Sequence, residues 1–358
     1  MKYDMVIQSN FSPFNIGGIE TVASNTAGLF PNKKICHFFG ARQNVTTTAE
    51  NKTYIGLRIL CSVAGLNFLL FGNMRLILLS FQSRLLIFND PYPTLWLALF
   101  FLKLFRRNIL VIYHADPKVP KGLEKTYFAL RNWLYRGQSL VVSSPQLMSS
   151  FPDNMHNQIK VIPWWLDESN ETEKPQQKLP LRYYLYIGRL ASYKGIYELL
   201  ETCRMSNHLN FVIVGEGPDQ DLVEEYIQNF KLKNITLIDT FVSTAQKNHL
   251  IKNCRGLLFP STNSGEAFGI VQLEAMYFGK PILNTNLGTG VNFVGQDNVN
   301  ALTSAPRDIA AFTSNLHKLH DNDALHQKLS SNSKGLYKKQ FSPEISKNKL
   351  RNAINELL

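Results

Sequence analysis

The segment from Ser261 to Met276 has the residue types and spacing of a phosphate-binding loop and helix. A buried strand is predicted to end at Phe259, and a helix is predicted to begin near Phe268-Gly269. The first turn of a helix has unpaired N–H groups and the positive end of the helix dipole, so it can bind a phosphate. Because Gly269 has no side chain, the backbone there can approach the anion closely.

Two glutamates flank this predicted helix start. Glu274 shares a helix face with Ile270 and Val271, about 7.5 Å along the axis from a phosphate at the first turn. At that distance it could accept hydrogen bonds from ribose hydroxyls, while Glu266 in the preceding loop could meet a sugar. Two unrelated surface glutamates near a helix N-terminus would give the same pattern, so the segment alone leaves both interpretations open.

A second candidate motif runs from Gly188 to Gly195, directly after a predicted strand. Its two cations, Arg189 and Lys194, lie in a glycine turn that lacks the Gly-Lys-Ser/Thr order of a P-loop. We expect them to bind a departing diphosphate through charged hydrogen bonds of about 1.5–3 kcal/mol each. Such bonds strengthen as the leaving group gains charge, which accelerates the reaction. A solvated basic turn is the alternative interpretation.

Weaker signals lie in the first half of the chain. Gly17-Gly18 form a turn between the first predicted strand and the first predicted helix, where close approach to a ligand or a simple turn would both need glycine. His114 follows a predicted strand, where it could contact a transferred sugar or serve as a structural polar group. The sequence has no DxD triplet and no cluster of His and Cys, so we expect no metal and no other cofactor.

Strand and helix patterns alternate along the chain in two series, which predicts an α/β fold with two Rossmann-like, doubly wound domains. The carboxyl ends of their parallel strands would face each other across a cleft. The predicted organisation is an N-terminal domain over residues 1–167, a linker over 168–182 and a C-terminal domain over 183–338. A final helix over 339–358 would pack back toward the N-terminal domain.

The net charge of +11 lies almost entirely in the first half of the chain, where residues 1–165 contain 17 Lys and Arg against 7 Asp and Glu. The remaining residues, 166–358, contain 21 Lys and Arg against 20 Asp and Glu. A basic excess favours an anionic partner, such as nucleic acid, a phospholipid surface or a phosphorylated substrate, although a merely soluble basic domain would show it too.

Several features indicate a cytoplasmic protein that does not cross a membrane. The longest apolar stretches, Ile59–Phe71 and Leu95–Leu102, are shorter than the roughly 18–20 residues of a spanning helix. The N-terminus has the pattern of a strand, which differs from that of a signal peptide. The four cysteines are far apart, as is typical of reduced cysteines in the cytosol.

Together these motifs resemble the retaining glycosyltransferases of family 4, also called glycosyl transferases group 1, which have the GT-B fold. The stretch that resembles them runs from about Tyr184 to Leu302. It includes Gly188-Arg189-Leu190, Lys194-Gly195, Val214-Gly215-Glu216-Gly217-Pro218, the pair Glu266 and Glu274, and Lys280-Pro281-Ile282. The first half of the chain matches the family more loosely. Its His114-Ala115-Asp116 motif resembles the one in the branch of the family that builds bacterial surface polysaccharides.

The resemblance implies roles for the candidate residues. Arg189 and Lys194 would bind the donor diphosphate, and Glu274 would bind the ribose. The diphosphate site would also include Gly188, Phe268, Gly269, Ile270 and Val271. The donor sugar would meet Glu266, His114 and the Gly17-Gly18 turn, and the base would lie near Phe241-Val242.

The resemblance also implies an activity: retaining transfer of a hexose from a nucleotide diphosphate sugar, such as GDP-mannose or a UDP-hexose, without a metal ion. The acceptor would be a saccharide or a polyprenyl-diphosphate-linked saccharide in O-antigen, capsule or lipopolysaccharide synthesis. An anionic membrane surface would be a peripheral partner at the inner face of the plasma membrane.

Three positions depart from the family pattern, and the first and third of them leave the sugar open. They are Asn292 where the family often has an acidic residue, Asn300-Ala301 in place of Asn-Gly, and Trp164-Trp165 after Pro163. Two other functions also stay open. One is a nucleotide-sugar 2-epimerase on the same fold, and the other is a basic nucleic-acid-binding protein. The basic residues are not interleaved with aromatic residues as a base-stacking surface requires, so we expect no nucleic-acid partner.

Overall fold

The computed structural model describes residues 2–12, 18–63, 66–69, 71–105, 107–117 and 119–358. The chain divides into two compact units, one of Met1–Ile162 with Ser346–Leu358 and one of Pro163–Ile345. From the sequence, the first domain was predicted to end at residue 167 and the second at residue 338. The segment predicted as a linker, 168–182, contains no helix or strand and is fully described. It is held against the second unit, because Asn248 donates to the carbonyls of Ser169 and Glu171.

The first unit contains a sheet with helices packed on it. Its strands and helices, in chain order, are β1 (Tyr3–Gln8), α1 (Gly18–Gly28), β2 (Ile35–Ala41), β3 (Val45–Ala49), β4 (Lys52–Val63), β5 (Leu66–Leu69), α2 (Gly72–Phe81), β6 (Ser83–Asp90), α3 (Trp96–Leu104), β7 (Ile109–Tyr113), α4 (Glu124–Tyr135), β8 (Ser139–Val142), α5 (Pro145–Met148) and β9 (Ile159–Val161).

The strand order in this sheet is β3-β4-β2-β1-β6-β7-β8-β9, with β5 paired to β4. All pairs are parallel except those of β4 with β3 and β5. The chain leaves β1 toward β2 and leaves β6 toward β7, in opposite directions. The loops after β1 and β6 therefore diverge, and this is the point at which open α/β sheets bind ligands.

The elements from β2 to α2 were not predicted from the sequence. Strand β4 lacks a clean alternation of buried and exposed positions, because Lys52–Tyr54 are half-buried, Ile55 and Gly56 are both buried, and Leu60 and Cys61 are both exposed. The apolar stretch Ile59–Phe71 supplies the end of β4 and the antiparallel strand β5. Within the described residues, no helix combines the length and the apolar character that a bilayer span needs.

The second unit contains a fully parallel sheet in the order β12-β11-β10-β13-β14-β15. Its elements, in chain order, are β10 (Tyr184–Ile187), α6 (Ile196–Met205), β11 (Phe211–Val214), α7 (Gln220–Asn229), β12 (Ile235–Ile238), α8 (Thr244–Asn253), β13 (Gly256–Phe259), α9 (Ile270–Tyr277), β14 (Ile282–Thr285), α10 (Gly290–Val294), β15 (Ala301–Ser304), α11 (Ile309–Asp321) and α12 (Asp323–Leu336). Here the chain order reverses between the neighbours β10 and β13, which creates a second topological switch point.

The final helix predicted over 339–358 is wrong in its start. Tyr337–Phe341 form a π-helical turn that continues α12, and Ser342 is extended with ψ 143°. A new helix, α13 (Pro343–Asn355), begins at the proline. Proline has no N–H to donate and disfavours a helical conformation in the residue before it. The preceding helix therefore ends before Ser342, and Pro343 is the first residue of α13.

Candidate active site

The two strongest sequence motifs lie on the two loops that meet at the switch point of the second sheet. The loop after β10 carries Arg189 and Lys194, and the loop after β13 carries Glu266. The loops contact each other directly, because the N–H of Thr262 donates to the carbonyl of Tyr193 at 2.9 Å. Gly195 has a φ of 76°, and a Cβ at that position would lie 1.9 Å from the carbonyl oxygen of Pro260. Only glycine allows this approach.

Gly195→Ala should therefore lower the free energy of unfolding by at least about 3 kcal/mol, because a backbone clash adds to an unfavourable φ. Gly288→Ala is the matched control, since Gly288 has a φ of 64° with nothing within 4 Å of its Cβ position. It should cost only about 1–2 kcal/mol. Chemical denaturation of both variants measures the difference, and equal losses would contradict the close approach of the two loops.

Lys194 and Glu266 form an ion pair between Nζ and Oε2. Their side chains are only 18% and 11% exposed, so the pair is largely shielded from water. Glu266 is fixed through its backbone as well, since its carbonyl accepts the Oγ1 hydroxyl of Thr289 at 2.8 Å. The sequence placed these two side chains at one site but did not predict their pairing. A diphosphate bound to Lys194 would compete with the Glu266 carboxylate for the same ammonium group.

The start of α9 lies close to this pair. Gly269 is the N-cap with a φ of 75°, and in the described structure no side chain caps the helix. The helix itself begins at Ile270, so the predicted start at Phe268-Gly269 is correct to within two residues. A Cβ on Gly269 would lie 2.8 Å from the Phe259 ring, and the Nζ of Lys194 lies 5.7 Å from the centroid of that ring. Lys194 therefore lies near the uncapped N–H groups of Ile270 and Val271.

Glu274, one turn farther along α9, pairs with a residue that the sequence did not reveal. Its Oε1 lies 2.5 Å from the Nζ of Lys247 on α8. Nothing in the sequence marks Lys247, because a lysine in a polar helix usually faces solvent. Lys247 holds the Glu274 carboxylate in place and adds a third cation to the site.

The segment before α8 contains the residues predicted to lie near the base. Phe241 is 79% exposed, and Val242 is half-buried. Ser243 caps α8 in a capping box with Gln246, which fixes the direction of the preceding chain. The Phe241 ring is thus displayed next to the helix that carries Lys247, where a flat aromatic base could stack on it.

Arg189 is exposed, and no described side chain forms a hydrogen bond or ion pair with its guanidinium. Its backbone is nevertheless fixed, because its carbonyl accepts the Tyr186 hydroxyl at 2.9 Å. The next residue, Leu190, donates its N–H to Glu216 at 2.9 Å. Gly188 is positioned by an equivalent bond to Val214 at 3.0 Å. The turn that presents Arg189 is therefore ordered while the guanidinium is free to bind an anion.

The departure at Asn292 has a structural explanation. Its Oδ1 accepts the N–H groups of Leu287 and Gly288, as a carboxylate would, at 2.9 and 3.1 Å. Its Nδ2 donates to the carbonyl of Thr285 at 3.0 Å, which a carboxylate could not do. Asparagine at this position therefore shapes the loop after β14.

In the first unit, His114 lies at the carboxyl end of β7 within a chain of buried amides. Its Nε2 lies 2.9 Å from the Oδ1 of Asn89, and Asn89 in turn donates to the Gln8 carbonyl at 2.6 Å. Gln8 is the last residue of β1 and Asn89 is the last but one of β6, and these are the strands of the first switch point. Gly18 begins α1, and Gly17 lies outside the described residues. His114 and Gly18 belong to the first unit, and the other predicted site residues that the structure describes belong to the second.

Burial lowers the pKa of His114 to about 3. Below pH 6.5, the unfolded histidine therefore binds a proton that the folded one does not, so stability should fall as the pH falls from 6.5 toward 3. At pH 5 this difference amounts to about 2 kcal/mol. Thermal unfolding of the wild type and of His114→Gln at pH 7 and pH 5 measures the effect. The variant should lose less stability on acidification, and an equal loss would show that the folded His114 accepts a proton.

Asp116, the last residue of the predicted His114-Ala115-Asp116 motif, has a structural partner. Arg131 on α4 is fully buried and donates from Nη1 to the Asp116 carboxylate at 2.8 Å. The Tyr113 hydroxyl donates to the same oxygen at 2.7 Å, and the Arg131 guanidinium stacks 3.9 Å from the Phe151 ring centroid. The sequence did not predict this buried arginine, which anchors the loop that follows His114.

The sequence is similar to a known protein family and to several known proteins. Residues 167–336 match the family model of Glycosyl transferases group 1. O-antigen chain mannosyltransferase C of Escherichia coli is 30% identical over 244 residues, which are 66% of this chain and 65% of that protein. D-rhamnosyltransferase WbpZ of Pseudomonas aeruginosa is 26% identical over 274 residues, which are 74% of this chain and 71% of that protein. The chain thus spans about two thirds of the length of these relatives.

Solved structures show the same fold over the whole chain. HepE of Anabaena, solved in complex with UDP, has a TM-score of 0.78 at 16% identity and covers 99% of this chain and 100% of its own. Sucrose-phosphate synthase of Thermosynechococcus elongatus has a TM-score of 0.75 at 16% identity, with 99% of each chain covered. The predicted α/β, GT-B architecture is confirmed. Residues 167–336 form a Glycosyl transferases group 1 domain.

Proposed function

We propose that this chain transfers a hexose from a nucleotide diphosphate sugar, GDP-mannose or a UDP-hexose, to a saccharide or lipid-linked saccharide acceptor. The reaction would serve the synthesis of a cell-surface polysaccharide such as O-antigen, capsule or lipopolysaccharide. The observation that carries the proposal is the shielded Lys194–Glu266 pair beside the uncapped start of α9, at the switch point of the second sheet. The name of the E. coli relative, an O-antigen chain mannosyltransferase, supports the choice of acceptor class.

We assign the diphosphate to the first turn of α9, with Arg189 and Lys194 as its cations. Negative charge builds up on the diphosphate as the bond to the sugar breaks, so these cations bind the transition state more tightly than the ground state. Glu274 would accept hydrogen bonds from the ribose, and the base would lie against Phe241 and Val242. Glu266 and His114 would contact hydroxyls of the transferred sugar.

We further propose that transfer retains the configuration at the sugar carbon and needs no metal ion. The bond from the anomeric carbon to the diphosphate oxygen breaks, and the acceptor oxygen bonds to the same face. The acceptor proton passes to the departing phosphate. The cations at the start of α9 would supply the charge that a metal supplies in other transferases. Isolation of a covalent sugar–enzyme adduct would contradict this same-face path.

We also propose that the protein works in the cytoplasm, peripherally bound to the inner face of the plasma membrane. The basic first half of the chain, with 17 Lys and Arg against 7 Asp and Glu over residues 1–165, suits an anionic leaflet.

A thermal-shift screen against UDP, GDP, ADP and their sugars tests the proposal. One nucleoside diphosphate at about 100 times its dissociation constant should stabilise the protein by about 2.7 kcal/mol. No shift with any of them at millimolar concentration would contradict the assignment. Release of a 2-epimeric free sugar without an acceptor would instead indicate an epimerase.

A further inference from the structure

Three neighbouring helices of the first unit expose large apolar side chains on their outer faces. They define a surface that we call the three-helix apolar surface: Met74 and Leu78 on α2, Leu97 and Leu104 on α3, and Trp133 on α4. Each of these side chains is between 47% and 61% exposed. The inner faces of the same helices are buried in the core of the first unit. A soluble protein seldom leaves so many large apolar side chains together in water without a partner.

The surface is continuous from one helix to the next. Helix α2 packs against α3, and α3 packs against α4. At the first junction, the rings of Phe81 and Phe105 contact edge to face with centroids 5.4 Å apart. At the second, the rings of Phe100 and Trp133 stack at 5.7 Å. The exposed side chains therefore form one patch that crosses all three helices.

Basic side chains border this patch. The Nζ of Lys103 lies 4.9 Å from the Trp133 ring centroid, and the guanidinium of Arg107 lies 5.5 Å from that of Phe81. Residues 71–137 contain ten Lys and Arg but only three acidic residues. Of these three, Asp90 is buried and Asp116 is paired with Arg131.

From this combination we infer that the three-helix apolar surface docks on an anionic lipid bilayer. Leu and Met side chains would enter the headgroup boundary, Trp133 would lie at that boundary, and the bordering cations would contact lipid phosphates. A second copy of the chain fits less well, because it would place one basic border against another. The inference rests on the proposed function, because it names the surface by which the protein would bind the membrane that carries a lipid-linked acceptor.

One exposed side chain provides a variant that should fold at least as well as the wild type. Phe71 precedes α2 with a φ of 54° and is 67% exposed. Asparagine tolerates this left-handed backbone better than phenylalanine does, so Phe71→Asn should not destabilise the protein. It removes an exposed aromatic ring three residues before Met74 and should weaken binding to vesicles several-fold.

The main test is co-sedimentation of the full chain with vesicles of phosphatidylcholine alone or with 30% phosphatidylglycerol. The test variant is Met74→Gln/Leu97→Gln/Leu104→Gln, which removes three side chains of the patch and retains good helix formers. The matched control is Leu181→Gln/Met205→Gln/Leu222→Gln, whose exposed apolar residues lie in the second unit.

The wild type and the control should bind the anionic vesicles, and 0.5 M salt should weaken that binding. The test variant should bind on the order of a hundredfold more weakly. Equal binding by the test variant, equal binding of the wild type to neutral vesicles, or a salt-resistant dimer lost only in the test variant would each overturn the inference. Vesicle binding needs neither donor nor acceptor, so a failure here leaves the thermal shift with nucleoside diphosphates intact.

Discussion

Glu266→Ala should lower the rate of sugar transfer roughly a thousandfold, because a carboxylate that orients the sugar acts mainly in the transition state. Its effect on nucleoside diphosphate affinity should be small or even favourable. Glu266 pairs with Lys194, so its removal frees the ammonium group for the diphosphate. The measurements are the transfer rate with saturating donor and the dissociation constant of the diphosphate by calorimetry.

Glu225→Ala on α7 is the control for this prediction, since Glu225 is an exposed glutamate of the same unit. It should leave both the rate and the affinity unchanged. Transfer by Glu266→Ala within tenfold of the wild-type rate would show that Glu266 does not act on the sugar. A large loss of diphosphate affinity would show that it belongs to the diphosphate site.

Lys194→Ala should lower kcat/KM by about a hundredfold to a thousandfold and abolish most of the thermal shift with nucleoside diphosphate. Two effects combine: the diphosphate loses a cation, and the shielded Glu266 carboxylate is left without its partner beside the bound anion. The double variant Lys194→Ala/Glu266→Ala should therefore bind the diphosphate more tightly than Lys194→Ala does.

The double variant also separates the two roles of the pair. Its rate of sugar transfer should be no lower than that of the slower single variant, because the effects of residues that act as a unit are not additive. Lys318→Ala, an exposed lysine on α11, is the control and should behave as the wild type. Full additivity of the two losses would contradict a functional coupling between Lys194 and Glu266.

Much of the second unit could be predicted because short buried strands there alternate with amphipathic helices, and glycines mark the turns. The strand that was predicted to end at Phe259 does end there, as β13. The motif residues Lys194 and Glu266 were assigned to one site although 72 positions separate them. Their ion pair was not predicted, since sequence spacing carries no information on which side chains touch across two loops.

Other residues left no local signal. Lys247 is one of several polar residues on α8, and only the packing of α8 against α9 reveals its bond to Glu274. Arg131 lies in a helix where an arginine is usually exposed, yet it is fully buried by Asp116 and three aromatic rings. Tertiary packing decided both positions.

The same limit applies to the apolar stretches of the first half. From the sequence, Ile59–Phe71 and Leu95–Leu102 were expected to be too short to span a bilayer. Of the residues that form the three-helix apolar surface, only Leu97 lies in one of these stretches, and Met74 and Leu78 lie on the unpredicted helix α2. The three-helix apolar surface is therefore a property of the assembled unit.

A crystal structure of the protein with UDP or GDP at millimolar concentration tests the central claim most directly. It should place the diphosphate at the N–H groups of Ile270 and Val271, with Arg189 and Lys194 both within hydrogen-bonding distance of its oxygens. A diphosphate bound elsewhere, or both cations turned away from the start of α9, would contradict the assigned active site.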